Sequence, residues 1–124
     1  ENMKGTVAYL EDLSVDVTKV VNTLPAIFGC SIEKNLHPKV VFLTQEMGRS
    51  TSEIETLPAF LAYSLHSRIE PRYRYLQHVD HNTGCSLSYM LTPGDEKFAR
   101  VVAGTSLEEY MTWRSKELGI APAR

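Results

Sequence analysis

Two stretches of this chain lie on one another without a gap. LPAIFGCSIEKNLHPKVVFL, from Leu24 to Leu43, returns as LPAFLAYSLHSRIEPRYRYL, from Leu57 to Leu76, at an offset of 33 residues. Leu24, Pro25, Ala26, Ser31, Pro38 and Leu43 recur as Leu57, Pro58, Ala59, Ser64, Pro71 and Leu76, and most exchanges between keep their character, such as Leu36 with Ile69 and Lys39 with Arg72. The phase extends beyond the block, through Leu10, Leu43 and Leu76, through Tyr9, Phe42 and Tyr75, and through Val21, Ile54 and Leu87. A fixed period of this length means one supersecondary unit, unable to bury its apolar face alone, stacked on copies of itself. The expected fold is therefore all-α, a helical-repeat solenoid. Residues 1–13 read as the tail of a truncated repeat, 14–48 and 49–80 as repeats, and 81–124 as a degenerate repeat with terminal helices that cap the stack.

Each unit reads as a helix pair. Val17, Val20, Val21 and Leu24 stand at i, i+3, i+4 and i+7, and Ser50-Thr-Ser-Glu53 reads as a capping box ahead of Ile54 and Leu57. Pro25 or Pro58 then ends or bends this first helix. Ser31 and Ser64 suit the N-cap of the second, whose apolar stripe is Ile32, Leu36, Val40, Leu43 and Met47 in one unit and Leu65, Ile69, Tyr73 and Leu76 in the next. Gly48 suits its C-terminal stop. Pro38 and Pro71 fall inside the stripe, where each would cost about 3 kcal/mol in a straight helix, so this helix is expected to be kinked or split. Thr92-Pro93 reads as the start of a helix ended by Gly104, with Phe98, Val101 and Val102 inward. Thr105-x-x-Glu108 reads as a capping box for a last helix with Leu107, Tyr110, Met111, Arg114 and Leu118 on one face and Gly119 as its stop. The tail from Ile120 has little to order it.

Composition narrows the chemistry. The longest apolar runs, such as Val40 to Leu43, fall far short of the roughly 20 residues that cross a bilayer, so no membrane partner is expected. A formal net charge of −2 gives no global basic signal, and any contact with phosphate must rest on local patches. Cys30 and Cys85 stand alone, without a C-x-x-C or a His at ligand spacing, and read as buried or partly buried thiols. His78 and His81 at i, i+3 have only Asp80 beside them, so no metal is expected. There is no nucleophile elbow, phosphate-cradling glycine loop or paired-carboxylate motif; no catalytic residue, no cofactor and no enzymatic activity are expected.

The period alone does not choose among helical repeats, but the residues do. There is no T-P-L-H start of an ankyrin repeat and no W-x-x-L-G-x-x-Y of a tetratricopeptide repeat. The pattern L-P-x-x-[FL], then S-[IL], then P-[KR]-x-x-x-[FY]-L, clearest in EKNLHPKVVFLTQEMGRS and YSLHSRIEPRYRYLQ, resembles the motif of the mitochondrial transcription termination factor (mTERF) family, with a plant or algal flavour. The resemblance runs from about Lys4 to Leu87, and GDEKFARVVAGTSLEEYMTWRSKEL is similar to the closing segment of several members. It implies a nucleus-encoded organellar protein, in mitochondrion or chloroplast, that binds double-stranded DNA or RNA and acts in transcription termination, pausing or initiation, in splicing or in ribosome assembly. A transit peptide, where one exists, is not in this chain. A monomer is expected.

With that family in view, one flank of the second helix draws notice. Asn35, Lys39 and Phe42 fall together beside the apolar stripe, as do the equivalent Arg68, Arg72 and Tyr75. Cations in a row on one edge of a solenoid can track phosphates, and an aromatic edge can contact sugar or base. Lys39, Arg68, Arg72 and Tyr75 are the expected nucleic-acid contacts, with Lys34 and Arg74 on the outward face ranked below them. The competing expectation is a solvated helix face paired with Glu70, in a solenoid that binds a protein partner instead.

Overall fold

A computed structural model describes residues 3–120. All regular structure among the described residues is helical. The chain divides into two compact units, Glu1–Tyr63 and Ser64–Arg124, so the division falls inside the repeat 49–80, between its first helix and its second. Each unit thus joins the second helix of one repeat to the first helix of the next.

In the first unit, α1 spans Met3–Asp12 and α2 spans Val17–Thr23. A 3₁₀ turn, Pro25–Gly29, follows α2. The long helix α3 covers 32–46, and the short α4, Glu53–Thr56, leads into a second 3₁₀ turn, Pro58–Leu61. The core gathers Leu10, Val20, Ile27, Leu36, Leu43, Ile54, Phe60 and Leu61, all fully buried. The Thr51 hydroxyl donates to the Leu13 carbonyl at 2.8 Å, and the Asp16 amide donates to Glu55 at 2.9 Å, which ties α4 to the turn before α2.

In the second unit, α5 covers 65–78, α6 spans Leu87–Leu91, α7 covers 95–102 and α8 spans Leu107–Leu118. Ile69, Leu76, Met90, Leu91, Phe98, Ala99 and Tyr110 form its fully buried centre. The aromatic rings cluster around Tyr75, with centroids 4.8 Å from Tyr110 and 5.2 Å from Trp113.

The repeat is written into the backbone. Leu24 (φ −132°, ψ 68°) and Leu57 (φ −136°, ψ 77°) end their helices in nearly the same conformation, because each precedes the proline that opens a 3₁₀ turn and is pushed out of the α region. Ser31 and Ser64 share extended geometry, and their hydroxyls accept from Lys34 N and Ser67 N, both at 3.1 Å, as the spacing predicts. Leu10, Leu43 and Leu76 are all fully buried.

The internal prolines neither split nor end the second helix. A wide π-type turn, Ile32–Leu36, precedes Pro38, and another, Leu65–Ile69, precedes Pro71. The amides of Leu36 and Ile69 reach back to the Ser31 and Ser64 carbonyls, five residues earlier, at 3.1 and 3.0 Å. The shifted register accommodates a residue that has no N–H and whose ring would crowd an α-helical carbonyl.

Several expected caps lie elsewhere. Thr92 closes α6, its hydroxyl bonded to the Ser88 carbonyl at 2.6 Å, and Gly94 precedes α7 in the cap position expected for Thr92. Val101 is about half exposed, whereas Phe98 and Val102 are buried. The last capping box sits one residue later than expected, with Ser106 accepting from Glu109 N and donating to the Glu109 carboxylate, because the Thr105 hydroxyl is taken by Tyr75. The Ser50 box does not form: Glu53 turns to Arg49 at 2.9 Å, and Ser50 accepts from Ser52 N. The tail beyond Ile120 lies outside the described residues.

Gly48 ends α3 at φ +67°, where the Arg49 amide closes onto the Leu43 carbonyl at 3.0 Å. An added Cβ meets no atom there, so Gly48→Ala isolates the backbone cost, expected at about 1–2 kcal/mol in denaturant unfolding. Gly29→Ala, also in open space but without a positive φ, is expected to stay within about 1 kcal/mol of the parent.

Candidate nucleic-acid interface

The flank singled out by the phase of the repeat is largely interior. Thr6, Lys39 and Arg72 stand at one repeat position, each 33 residues from the next. All three are buried, with exposures of 0, 6 and 0%.

In the first unit the Lys39 ammonium donates to the Leu61 carbonyl at 2.7 Å and to Asn35 Oδ1 at 2.7 Å. Leu61 closes the 3₁₀ turn of the next repeat, where the chain leaves a carbonyl without a helical partner. Burial lowers the Lys39 pKa from its usual value, against the opposing influence of Cys30.

In the second unit Arg72 makes the same connection with more donors. Its Nη1 donates to the carbonyls of Met90 at 3.0 Å and Pro93 at 2.8 Å, and Nη2 donates to Asp95 Oδ1 at 3.0 Å. The guanidinium lies 4.8 Å from the Phe98 ring centroid. Desolvation lowers its pKa, with the Asp95 hydrogen bond pulling the other way. Arg68, one turn earlier and half-buried, donates to the Leu91 carbonyl at 2.8 Å. Position 6 carries a threonine, whose hydroxyl is buried without a hydrogen-bond partner among the described residues. A short side chain cannot span the distance that lysine and arginine cover.

Tyr75 is likewise interior, at 2% exposure, and shares a hydrogen bond with the Thr105 hydroxyl at 2.8 Å. Lys39, Arg72 and Tyr75 are therefore corrected from surface contacts to packing groups. The physical reason is that the apolar stripe marks only one neighbour of the second helix. The first helix of the following repeat covers the flank beside the stripe, and polar ends of that helix meet the cations there. Of the expected contacts, Lys34 is exposed on α3. Arg74 is half-buried on α5, 3.8 Å from Glu70, with its guanidinium 5.8 Å from the Tyr73 ring.

Sequence reasoning placed Arg114 on the inner face of α8 but did not find its role. It is buried, donates to the Ser67 carbonyl at 3.3 Å, and shares Asp95 with Arg72 at 4.0 Å. Its signal was the i+4 spacing from Tyr110, over whose ring it lies at 5.4 Å. Among the described residues no three His, Cys, Asp or Glu side chains come together as metal ligands, and no helix is long and apolar enough to cross a membrane. Cys30 and Cys85 are half-buried and not joined in a disulfide.

Helix pairs recurring at 33 residues, with matching caps and turns, define a helical-repeat protein. The chain belongs to the mTERF family, whose model matches residues 1–99 and so spans both copies of the signature. No curated protein and no solved structure matches the chain.

Removing the Arg72 head group would strand buried carbonyls and Asp95 together. Arg72→Ala is expected to lose about 3–5 kcal/mol in chemical unfolding. Lys34→Ala, on the surface, is expected to stay within about 0.5 kcal/mol of the parent.

Proposed function

We propose that the chain serves as a non-catalytic nucleic-acid-binding regulator in a mitochondrion or chloroplast, acting on transcription or RNA maturation as a monomer on duplex DNA or RNA. The observation that carries this reading is the family match over residues 1–99. Neither unit is strongly basic: residues 64–124 hold eight Lys and Arg against seven Asp and Glu, with Arg72 and Arg114 buried, and residues 1–63 hold five against eight, so contact with phosphate rests on individual exposed cations.

The contacts that fit this role are the cations that keep some exposure. Arg74 pairs with Glu70 at 3.8 Å with both side chains a third exposed, an arrangement worth little and easily exchanged for phosphate. Lys34 is exposed, and Arg68 is half-buried with its bond to the Leu91 carbonyl. These residues replace Lys39 and Arg72 as the positions to reverse.

Affinity for duplex DNA and duplex RNA, measured between low and physiological salt, is expected to fall steeply, the slope of log K against log salt changing by about 1 for each cation removed. Arg74→Glu combined with Lys34→Glu is expected to weaken binding to both duplexes without altering the thermal midpoint. A salt-independent affinity, or one unchanged in the double reversal, would overturn the reading.

A further inference from the structure

The second unit contains a solvent-open cavity of about 590 Å³ between α5 and the first turns of α8. Aromatic rings make its wall. Trp113 and His78 lie with centroids 5.6 Å apart at 32°, and Trp113 leans on the buried Tyr75 at 5.2 Å. Carboxylates make its rim, since Glu108 and Glu109 are both exposed, and no lysine or arginine lines the space. Trp113, Glu108 and Glu109 lie beyond the residues that the family model matches, whereas Tyr75, His78 and Val79 lie within them.

Acidic residues in the first turn of a helix are ordinary, because they oppose the helix dipole. Glu109 is partly explained in that way, through its exchange of hydrogen bonds with Ser106. Glu108 shares that first turn and lines the groove together with Trp113 and His78. A half-exposed indole beside exposed carboxylates has a defined chemical complement, a planar cation that stacks on the ring and offers donors to a carboxylate at its edge. A nucleic acid brings phosphates to the same rim and is repelled. The cavity also falls within the range of about 300–1,000 Å³ typical of sites that enclose small ligands or single side chains.

We infer that this groove is a docking site for an arginine side chain of a partner polypeptide, held by stacking on Trp113 and by pairing with Glu108. The charge complementarity selects a basic peptide segment over an apolar or anionic one. None of its lining residues is a cation assigned to nucleic acid, although His78 follows Arg74 by one turn on α5.

Trp113 is the chain's one tryptophan, and its emission therefore reports on the groove directly. The 124-residue chain is titrated with a capped Gly-Arg-Gly-Arg-Gly peptide, with the same peptide carrying norleucine for arginine, and with a short oligothymidylate. The arginine peptide is expected to give a saturable change in emission and to shield Trp113 from acrylamide. The norleucine peptide is expected to bind about tenfold more weakly or not at all. Glu108→Lys, on an exposed position, is expected to weaken the arginine peptide about tenfold while leaving the far-UV circular dichroism and thermal midpoint unchanged. No saturable response to the arginine peptide up to about 5 mM would overturn the inference. So would an equal response to norleucine, a tighter response to the oligothymidylate, or a Glu108→Lys variant that binds as the parent does.

Discussion

Short helices end in carbonyls that nothing in their own length can satisfy, and burying such a group without a donor costs about 1–3 kcal/mol. In this chain the problem arises at two helix ends, at Leu61 in one unit and at Met90, Leu91 and Pro93 in the other, whereas Thr6 at the earlier equivalent position is too short to reach one. The donor comes from the preceding repeat, as an ammonium or guanidinium fixed by phase on the second helix. A cation serves better than a neutral donor because it reaches several acceptors at once and makes stronger bonds. Its own desolvation is met by those carbonyls, by Asn35 for Lys39, and by Asp95 and the Phe98 face for Arg72. The two compact units meet in sequence at Ser64, where a second helix begins, and each cation lies in the same unit as the carbonyls it holds.

The period, the caps at Ser31 and Ser64, the stop at Gly48 and the buried leucine phase were all legible in the sequence, because each depends on local chemistry or on a strict repeat. The cavity cost of a misplaced leucine enforces one face, and a left-handed stop prefers glycine. Less legible was anything decided by competition between neighbours. Thr105 would have capped α8 had Tyr75 not taken its hydroxyl, and Glu53 would have closed the Ser50 box had Arg49 not lain closer. The prolines illustrate a different limit: their effect on an α-helix is known, but a π-type turn that absorbs it has no residue signature of its own.

The candidate interface was read correctly as a repeated feature and wrongly as an exposed one. Helical periodicity gives an angle from the apolar stripe, but not how much of the remaining circumference a neighbour covers. In a helix-pair repeat that coverage exceeds the stripe, and Lys39, Arg72 and Tyr75 fall beneath it. What remains outside is a sparser set, Lys34, Arg74 and part of Arg68, with an aromatic groove of opposite charge on α8. Within residues 64–124 the buried cations hold the frame on which Arg74 and the aromatic groove are presented.

The cation at the repeat phase holds the next repeat's helix end. Hydrogen exchange of the chain carrying Arg72→Met measures this most directly, since methionine keeps the apolar stem and removes the donors. The account predicts that amide protection falls across α6 and α7, where Arg72 holds the Met90 and Pro93 carbonyls and Asp95, while α2 and α3 keep theirs. Unchanged protection in α6 and α7, together with a loss of nucleic-acid affinity, would return Arg72 to the surface and contradict the account.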